Sequence, residues 1–409
     1  METITTAIIG GGASGLILAT RLQNNGKIVL FERGERVGRK LSATGNGQGN
    51  ITNLGVVCQG GYFSYDAAAL TKARRMIDAY NYATLKTYFM RLGVLLVADN
   101  RDRVYPASKQ ASALTDALRF AVEKTTEVRL CSQITRLQKT PDGFLLQVKT
   151  AEREYQCLAQ NVVLSAGGKA AKNFGTDGSA YALVTAMGHT CTPLYPSLVQ
   201  LKTDIKHIKT LKGIRVNDAK LTAFEGEKEV VTLRGDIIFT DYGVSGDGVF
   251  RISAYVADKL ASGNVRLSVD FLPDISLEAI AAAVEQKRSA FPQLPQTEYL
   301  FGIVNNQLGR AIVRRADGDT QTAIALVKDF TLPITGSLSF DYAQVTKGGI
   351  PLSETDEDLQ SRFAEGLYFT GEILDIDGAC GGYNLHWAYA SARVVADAIN
   401  AKGRGQVCV

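Results

Sequence analysis

The chain has 409 residues, of which 45% are hydrophobic and 21% are charged, the balance of a globular protein with a large core. Its formal net charge of +4 is small for this length, and aspartates interrupt the lysine-rich stretch between residues 202 and 220. This pattern does not predict a nucleic-acid partner. Because no apolar run approaches the length of a membrane span and the N-terminus lacks signal-peptide segments, we expect a soluble, cytoplasmic protein with no membrane partner.

Cysteines and histidines are few and scattered along the chain. No Cys-x-x-Cys pair occurs, which is typical of reduced thiols rather than of a disulfide framework. The six cysteines are Cys58, Cys131, Cys157, Cys191, Cys380 and Cys408. The three histidines, His189, His207 and His386, lack the spacing of metal ligands, so we predict no metal site.

The first 32 residues predict a strand, a glycine turn, a helix and a second strand. Thr3–Ile9 and Ile28–Phe31 are short apolar runs, and Leu16–Leu22 has the apolar spacing of a helix. A G-x-G-x-x-G turn follows the first strand, and Glu32 ends the second strand 22 residues after the first of these glycines. This unit predicts an α/β fold of Rossmann type that binds a dinucleotide.

Each part of the turn has a physical role. Gly10 permits the tight turn, Gly12 lets the backbone approach a pyrophosphate, and Gly15 lets the helix pack closely on the strand. The helix N-terminus offers unpaired N–H groups and a partial positive charge to phosphates. Glu32 can accept hydrogen bonds from ribose hydroxyls. Its charge disfavours a 2′-phosphate, so NADP is the least favoured cofactor here, while FAD and NAD both stay open.

A glycine- and asparagine-rich loop, GRKLSATGNGQGNITN, begins at Gly38. It starts with Arg39 and Lys40 and continues with backbone donors and short amides, a composition that suits a long, polar and multiply charged ligand. A flexible surface loop is the alternative that composition alone leaves open.

Five segments then carry a resemblance to a known family. They are GGGASGL, GRKLSATGNGQGNITN, VVLSAGGKA, VTKGGI and LYFTGEILDIDGACGGYNLHWAYASARVVA, in order from residue 10 to residue 396. Together they resemble the three-domain bacterial flavoproteins labelled NAD(FAD)-utilising dehydrogenases, which include aminoacetone oxidase and a bile-acid dehydro-reductase. The chain has Gln48 and Gly49 where that family usually has Arg-Cys.

The resemblance implies FAD as the cofactor, with transient use of NAD(P)H left open. It places Glu372 at the ribityl hydroxyls and directs the N–H groups of the helix near Asn384 at the flavin. The predicted cofactor-binding residues are Gly10, Gly12, Ala13, Ser14, Gly15, Glu32, Arg33, Arg39, Lys40, Leu41, Thr44, Gly45, Asn46, Gly47, Asn50, Ile134, Ala166, Gly167, Gly168, Gly371, Glu372, Leu374, Asp375, Gly382, Tyr383 and Asn384.

Further elements are predicted between these segments. Ala67–Gly93 has the spacing of one helix and Lys109–Lys124 that of another, with Ser108 as the N-cap of the second. The predicted strands of this part lie at Val128–Cys131, Phe144–Val148, Val162–Ser165 and, near the C-terminus, Leu367–Thr370.

From about residue 192 short alternating runs predict an antiparallel β unit, which is followed by helices. The strand-like runs are Leu198–Leu201, Lys220–Phe224, Glu229–Leu233 and Ile237–Thr240, and the helical runs are Leu277–Ser289, Asn306–Ala316 and Thr320–Lys328. We predict a Rossmann-like FAD-binding domain of residues 1–191 and 346–409, an inserted β-rich domain of residues 192–270 with 331–345, and a small helical subdomain of residues 271–330.

One inserted segment, DIIFTDYGVSGDGVFRISAYVADKL, is again a strand, a glycine-rich turn and a helix. Its glycines have the order G-x-x-G-x-G, and Asp247 would place a negative charge where a phosphate must bind. We therefore favour a structural turn or a substrate-facing loop over a second nucleotide site for NAD(P)H.

No Ser/His/Asp or Cys/His constellation is apparent, so hydrolysis is not expected. Packing is favoured for His386 and for the tyrosines, and no catalytic residue is predicted. The candidates for the flavin face are Tyr62, Tyr383, His386, Trp387 and Lys347. Two functions remain. One is an FAD-dependent oxidoreductase transferring hydride at flavin N5 to or from a small-molecule substrate, as an NAD(P)H-linked reductase or an oxygen-using oxidase. The other is a non-catalytic module that binds FAD for structure or sensing. The oligomeric state is left open.

Overall fold

The computed structural model describes residues 1–22, 26–57 and 60–405. Two compact units are present, Met1–Tyr195 with the chain from Val345 onward, and Pro196–Gln344. The division of the inserted segment into a β-rich domain and a helical subdomain stays a prediction. None of the described helices is long and apolar enough to cross a membrane.

The helices of the described residues are α1 (Ala13–Ala19), α2 (Arg39–Ser42), α3 (Ala67–Ala79), α4 (Tyr82–Arg91), α5 (Ala111–Val122), α6 (Ser179–Thr185), α7 (Asp247–Val256), α8 (Leu277–Ala290), α9 (Asn306–Arg315), α10 (Thr320–Lys328) and α11 (Tyr383–Gly405). The strands are β1 (Glu2–Ile9), β2 (Ile28–Phe31), β3 (Thr52–Asn53), β4 (Tyr62–Phe63), β5 (Leu96–Ala98), β6 (Arg103–Pro106), β7 (Glu127–Arg129), β8 (Gln133–Thr140), β9 (Gly143–Lys149), β10 (Glu154–Leu164), β11 (Tyr195–Ser197), β12 (Leu201–Thr203), β13 (Arg215–Glu225), β14 (Lys228–Phe239), β15 (Gly243–Ser245), β16 (Val265–Asp270), β17 (Leu332–Ser337), β18 (Val345–Lys347), β19 (Leu367–Phe369) and β20 (Asp377–Gly378).

The first unit is built on a seven-stranded sheet in the order β7-β2-β1-β10-β9-β8, with β19 also paired to β10. Strand β1 pairs in parallel with β2 and β10, and Ile9 lies opposite both Phe31 and Leu164. The whole of β2 and the end of β10 are buried, as expected for strands covered on both faces. The predicted α/β fold of Rossmann type is therefore confirmed. The carboxyl ends of β1, β2, β10 and β19 lie at one edge of the sheet.

The two ends of the chain close this unit together. The C-terminal helix α11 packs on α1, and Asn400 Nδ2 donates to Arg21 O at 2.9 Å. Trp387 and Tyr389 of α11 are almost completely buried in the same core. Trp387 Nε1 donates to Gly371 O at 3.1 Å, which links the helix to the turn after β19.

Several local predictions for this unit are wrong. The predicted helix Ala67–Gly93 is two helices, because Asn81 Oδ1 caps α4 by accepting from Ala83 N at 3.0 Å. Ser108 is not the N-cap of α5, which begins after Gln110. The first helix begins at residue 13 rather than 16, directly after the glycine turn. Strand β8 was not predicted, since a bulge interrupts its alternation after residue 134.

The second unit contains a closed barrel in the order β12-β15-β14-β13-β16-β17, with antiparallel pairs throughout. Its core includes the rings of Phe239, Phe271 and Phe330, whose centroids lie 5.5 to 6.5 Å apart. Helices α8, α9 and α10 separate β16 from β17 along the chain. The predicted strands Glu229–Leu233 and Ile237–Thr240 are parts of the single strand β14, which pairs with β13 over its length.

The glycine-rich segment of the second unit does not form a dinucleotide-binding turn. Strands β14 and β16, which precede and follow the turn and α7 along the chain, do not pair with each other, because β13 lies between them in the barrel. A nucleotide-binding βαβ unit of Rossmann type has adjacent parallel strands at this place. A Cβ on Gly235 would lie 2.6 Å from Gly248 Cα, so these two glycines let α7 pack closely on β14. The structure therefore agrees with a structural turn, and the second nucleotide site is not supported.

The cysteines of the described residues are unpaired, and these residues contain no arrangement of metal ligands. The free thiols of the described chain are Cys131, Cys157, Cys191 and Cys380, while Cys58 and Cys408 lie outside the described residues. Within residues 1–22, 26–57 and 60–405, no group of three or more His, Cys, Asp or Glu side chains is arranged to hold a metal ion.

Candidate cofactor site

The glycine turn joins β1 to α1 at the carboxyl edge of the sheet. Gly10 has φ +108°, a conformation that favours glycine, and its N donates to Phe31 O at 2.8 Å. A Cβ on Gly10 would lie 2.6 Å from Ser165 O, and a Cβ on Gly15 would overlap Gly10 O. Gly12 is different, because the nearest atom to its Cβ would be Ser165 O at 4.0 Å. Gly12 therefore faces open space, where a pyrophosphate can approach the backbone.

The carboxylate of Glu32 is held beside this turn by backbone donors. Its Oε2 accepts from Gly11 N at 2.8 Å and its Oε1 accepts from Gly34 N at 2.7 Å. Each oxygen keeps a second lone pair for a ribose hydroxyl. The neighbouring Arg33 is paired with Asp177, at 2.8 Å between Nη1 and Oδ2, and so holds the chain that follows β10.

Ile134 follows a segment that contacts Glu32. Ser132 N, two residues earlier, donates to Glu32 O at 2.9 Å, and Ile134 itself is largely buried. It borders a groove of about 650 Å³ that is lined by β8, α6 and Phe363. The prediction that Ile134 contacts the cofactor is compatible with these neighbours.

An ion pair joins two predicted residues that are 332 positions apart in the chain. Lys40 Nζ of α2 lies 2.6 Å from Glu372 Oε2, and Thr346 N donates to Glu372 Oε1 at 2.9 Å. Thr346 Oγ1 in turn accepts from Lys169 N at 2.7 Å. A Cβ on Gly168 would lie 2.8 Å from Glu372 Oε1. Three segments thus meet at this carboxylate: the turn after β10, the turn after β19 and strand β18.

The end of β19 also contacts the first turn of α1. Gly371 N donates to Ser391 Oγ at 2.9 Å, and a Cβ on Gly371 would lie 2.8 Å from Ser14 Oγ. Ser165 Oγ and Thr370 Oγ1, at the ends of β10 and β19, lie 2.6 Å apart. These contacts bring the predicted residues Ser14 and Gly371 together, close to Ser165, which precedes the predicted residue Ala166.

Asp375 carries an oxygen that the described chain leaves without a partner. Its Oδ2 accepts from Ser64 Oγ at 3.0 Å and from Tyr65 N at 3.1 Å. Its Oδ1 is buried and makes no hydrogen bond to any described residue. Burial raises the pKa of Asp375 to about 6, against the opposing effects of these donors and of Lys347. A buried, unsatisfied carboxylate oxygen is a place where a ligand hydroxyl can donate.

The loop from Arg39 to Asn50 has an open part around Gly47, and other residues of the loop are held by hydrogen bonds to their neighbours. Gly45, Asn46 and Gly47 all have left-handed backbone conformations, and a Cβ on Gly47 would contact nothing within 4 Å. Thr44 Oγ1 donates to Leu41 O at 2.7 Å. Arg39, which precedes Lys40, donates through Nη2 to Asn173 O at 2.7 Å.

Four predicted side chains do not face open space. Leu41 and Leu374 are buried in the core, so contact with a cofactor is limited to their backbone. Asn50 Nδ2 donates to Thr52 O at 2.9 Å. Asn384 exchanges two hydrogen bonds with the backbone of Gly378, at 2.8 and 2.7 Å. These amides hold turns in place.

The start of α11 is crowded by aromatic and imidazole groups. Tyr62 OH donates to Tyr383 O at 3.1 Å, and the two rings meet edge to face with centroids 5.5 Å apart. His386 Nδ1 lies 2.7 Å from Thr52 Oγ1. Burial lowers the pKa of His386 to about 4, although a backbone hydrogen bond at Tyr80 opposes this. His386 is therefore a neutral, packed residue, as favoured from the sequence.

A Ser–His–Glu arrangement that was not apparent in the sequence is assembled elsewhere in the first unit. His189 Nε2 lies 2.7 Å from Ser361 Oγ, and its Nδ1 lies 2.8 Å from Glu354 Oε2. Ser361 is only 4% exposed, and its Oγ also accepts from the N–H groups of Phe363 and Ala364. With its hydroxyl buried and bonded in this way, the arrangement is a structural clamp rather than a nucleophile.

Two residues that position the site were missed by sequence reasoning, Thr346 and Ser64. Thr346 lies within VTKGGI, one of the five segments that carry the family resemblance, so a signal for it was present. Ser64 carries no signal, because its contact with Asp375 spans 311 residues.

The parallel sheet, the glycine turn and the acid after β2 define a dinucleotide-binding protein of Rossmann type. The chain belongs to the HI0933-like family, since the sequence profile described as "HI0933-like protein Rossmann domain" matches residues 4–398. The family resemblance given by the motifs is thus confirmed. The chain is an FAD-dependent oxidoreductase, and the prediction of FAD is confirmed.

Two curated relatives cover nearly the whole chain. A 3-dehydro-bile acid delta(4,6)-reductase of Clostridium scindens is 33% identical over 94% of this chain and 96% of its own length. A ribosomal RNA dihydrouridine synthase of Escherichia coli is 28% identical over 98% of this chain and 100% of its own. Among solved structures, the open conformation of a flavocytochrome c3 fumarate reductase shares the fold, with a TM-score of 0.50, 13% identity, and coverage of 98% of this chain and 79% of that one.

Proposed function

We propose that the predicted residues at this sheet edge hold FAD. The glycine turn and α1 would bind its pyrophosphate, Glu32 a ribose, and Glu372 with Asp375 the ribityl chain. The open space at Gly12 and the unsatisfied buried oxygen of Asp375 support this assignment. When bound, FAD supplies hydride transfer at N5. The 23-residue helix α11 begins directly after Gly382, and its N-terminal partial charge would stabilise negative charge in front of it.

We further infer that the reaction is the reduction of a carbon–carbon double bond conjugated to a carbonyl group, in a small organic substrate, with NAD(P)H as the electron source. The observation that carries this inference is the 33% identity, over 94% of the chain, to the 3-dehydro-bile acid delta(4,6)-reductase. That name describes double bonds conjugated to a 3-oxo group. The second relative's name supports the same bond chemistry, since dihydrouridine is uridine with its ring double bond reduced.

Reduction of uridine in ribosomal RNA is the second candidate. It is favoured by two relatives of that name, at 28% and 26% identity over 98% and 96% of this chain. We rank it second because the identity to the bile-acid reductase is higher, at 33%, and because the net charge of +4 is small for a nucleic-acid enzyme.

An anaerobic reduction experiment tests the proposal. The flavin-loaded protein is mixed with NADH or NADPH, and bleaching of the flavin absorbance is followed. A 3-oxo-4,6-diene bile acid, ribosomal RNA without dihydrouridine, or air is then admitted. Rapid bleaching followed by reoxidation with the bile acid supports the small-molecule reductase, and reoxidation with the RNA alone supports the second candidate.

Three other results would contradict the proposal. Indifference to NAD(P)H with bleaching by an amine, and peroxide on admission of air, would establish an oxidase. Reoxidation by air alone, after bleaching by NAD(P)H, would show that neither unsaturated compound is a substrate. The absence of bleaching by every donor would favour a non-catalytic FAD-binding module.

A further inference from the structure

A face of strand β6 lies against two glycine-containing segments of the site, the loop at Gly45 and the turn at Gly381. Arg103 and Tyr105 share this face, because alternate residues of a strand point the same way. A Cβ on Gly45 would lie 3.5 Å from Tyr105 Cε1, and a Cβ on Gly381 would lie 3.7 Å from Arg103 Cγ. Asn53, which pairs with Arg103 in the sheet, donates through Nδ2 to Gly381 O at 3.2 Å. The face is thus continuous with the turns that would surround a bound cofactor.

Two cations are arranged around the ring of Tyr105. Lys109 Nζ lies 3.9 Å from the ring centroid, and Arg103 Cζ lies 5.9 Å from it. Lys109 has φ +53°, in the left-handed region that non-glycine residues seldom adopt. Such a conformation is unfavourable for a non-glycine residue and persists where the surroundings impose it. Here it accompanies the stacking of the ammonium group on the ring.

The charge of this face is not fully compensated. Asp99 orients Arg103, with 2.9 Å from Nε and 2.7 Å from Nη2 to Oδ2. Asp102 and Arg101 are exposed in the adjoining turn and offset each other in charge. For Lys109, no carboxylate oxygen lies within 4.0 Å among residues 1–22, 26–57 and 60–405. The exposed ammonium of Lys109, which contacts the buried ring of Tyr105, can receive an anion, since a side chain already held against a ring loses less entropy on binding.

We propose that Arg103, Tyr105 and Lys109 form an oxyanion subsite that binds the charged end of the substrate. The inference rests on the proposed function and adds the chemical class that the substrate must carry: a carboxylate, as on a bile-acid side chain, or a phosphate, as in RNA. Both are oxyanions that accept hydrogen bonds from an ammonium and a guanidinium group. The ring of Tyr105 contacts both cations and orients them through cation–π interactions.

Matched substrates and matched variants test the subsite. A 3-oxo-4,6-diene bile acid and its methyl ester share the ring system, but the ester has a neutral methyl ester in place of the carboxylate. A uridine-containing RNA supplies phosphates. Lys109→Gln and Arg103→Gln are compared with Lys86→Gln, an exposed lysine of α4. We expect Lys109→Gln to raise KM for the acid about tenfold, the loss of one charge-assisted hydrogen bond, with kcat nearly unchanged. The ester should show no such change, and Lys86→Gln should behave as the wild type.

The experiments with bile acid and with RNA distinguish a carboxylate from a phosphate as the bound oxyanion. They also distinguish failure of the subsite from failure of the proposed function. If the RNA is the substrate, Lys109→Gln should weaken its binding and reduce the salt dependence of that binding. If neither probe is reduced, the proposed function fails, and titration of the flavin absorbance with the acid and the ester still measures binding. Equal affinity of the wild type for acid and ester, together with RNA binding that Lys109→Gln leaves unchanged, would overturn the subsite. So would equal losses in Lys109→Gln and Lys86→Gln.

Discussion

The contrast between Gly12 and Gly15 gives the sharpest test of the cofactor turn. Both belong to the same six-residue motif, yet a Cβ would meet different surroundings at each. At Gly12 the backbone has φ −80° and ψ −168°, which alanine also adopts, and the added Cβ would be 4.0 Å from its nearest neighbour. At Gly15 the added Cβ would overlap the carbonyl oxygen of Gly10.

The expected magnitudes follow from these environments. Gly12→Ala should change the free energy of unfolding of the flavin-free protein by less than about 1 kcal/mol, because no contact is strained. Gly15→Ala must separate α1 from the turn by roughly 1 Å, which should cost about 3 kcal/mol or more, since a backbone oxygen cannot yield. The effect of Gly12→Ala on FAD affinity should be large even though its effect on stability is small. The variant puts a methyl group where the pyrophosphate approaches. A loss of about 1–3 kcal/mol there corresponds to roughly 5- to 150-fold weaker binding.

Two measurements separate the effects. Urea denaturation of the flavin-free proteins reports folding, and the quenching of flavin fluorescence on titration reports the FAD Kd. We expect Gly12→Ala to be folded with weak FAD binding, Gly12→Val to be colourless, and Gly15→Ala to be poorly folded. A folded Gly12→Ala protein that binds FAD as tightly as the wild type would refute the role of Gly12. A Gly15→Ala protein of normal stability would refute the steric reasoning.

Three further changes test other parts of the site. Glu372→Gln should weaken FAD binding about tenfold more than Lys40→Met if the carboxylate binds the ribityl chain, since both variants break the same 2.6 Å ion pair; equal losses of FAD affinity would reduce Glu372 to an ion-pair role. Because burial lowers the pKa of His386 from 6.5 to about 4, the unfolded chain binds the extra proton first as the pH falls, and stability is lost from pH 6.5 to pH 4, by up to about 3 kcal/mol. Urea denaturation across this range should show that the free energy of unfolding depends less on pH in His386→Asn than in the wild type. An equal pH dependence in both proteins would contradict the lowered pKa of His386. Gly49→Cys, which restores the residue usual in the family, should lower the free energy of unfolding by about 2–4 kcal/mol, because position 49 has φ +77° and its Cβ would lie 2.9 Å from Ala111 Cα. A urea midpoint equal to that of the wild type would show that α5 moves aside.

Sequence reasoning was most successful where neighbouring residues act together. The strands β1 and β2, the glycine turn and the acid after β2 lie within one short segment, so their spacing alone predicts the unit. It failed where a single polar contact decides the outcome, as at Asn81, whose side chain starts a new helix in a segment with continuous helical spacing. Periodicity carries no information about such a cap.

The amino-acid sequence by itself determined the class of cofactor and the sheet edge that would receive it, because hydrophobic patterning and glycine placement act over a few residues. Tertiary structure alone decided which distant groups meet there. Lys40 finds Glu372 across 332 positions, and Asp375 is left with a buried oxygen that no described residue satisfies. Tertiary structure also turned Ser361, His189 and Glu354 into a buried clamp. Contacts of this kind depend on packing between elements, which spacing along the chain does not encode.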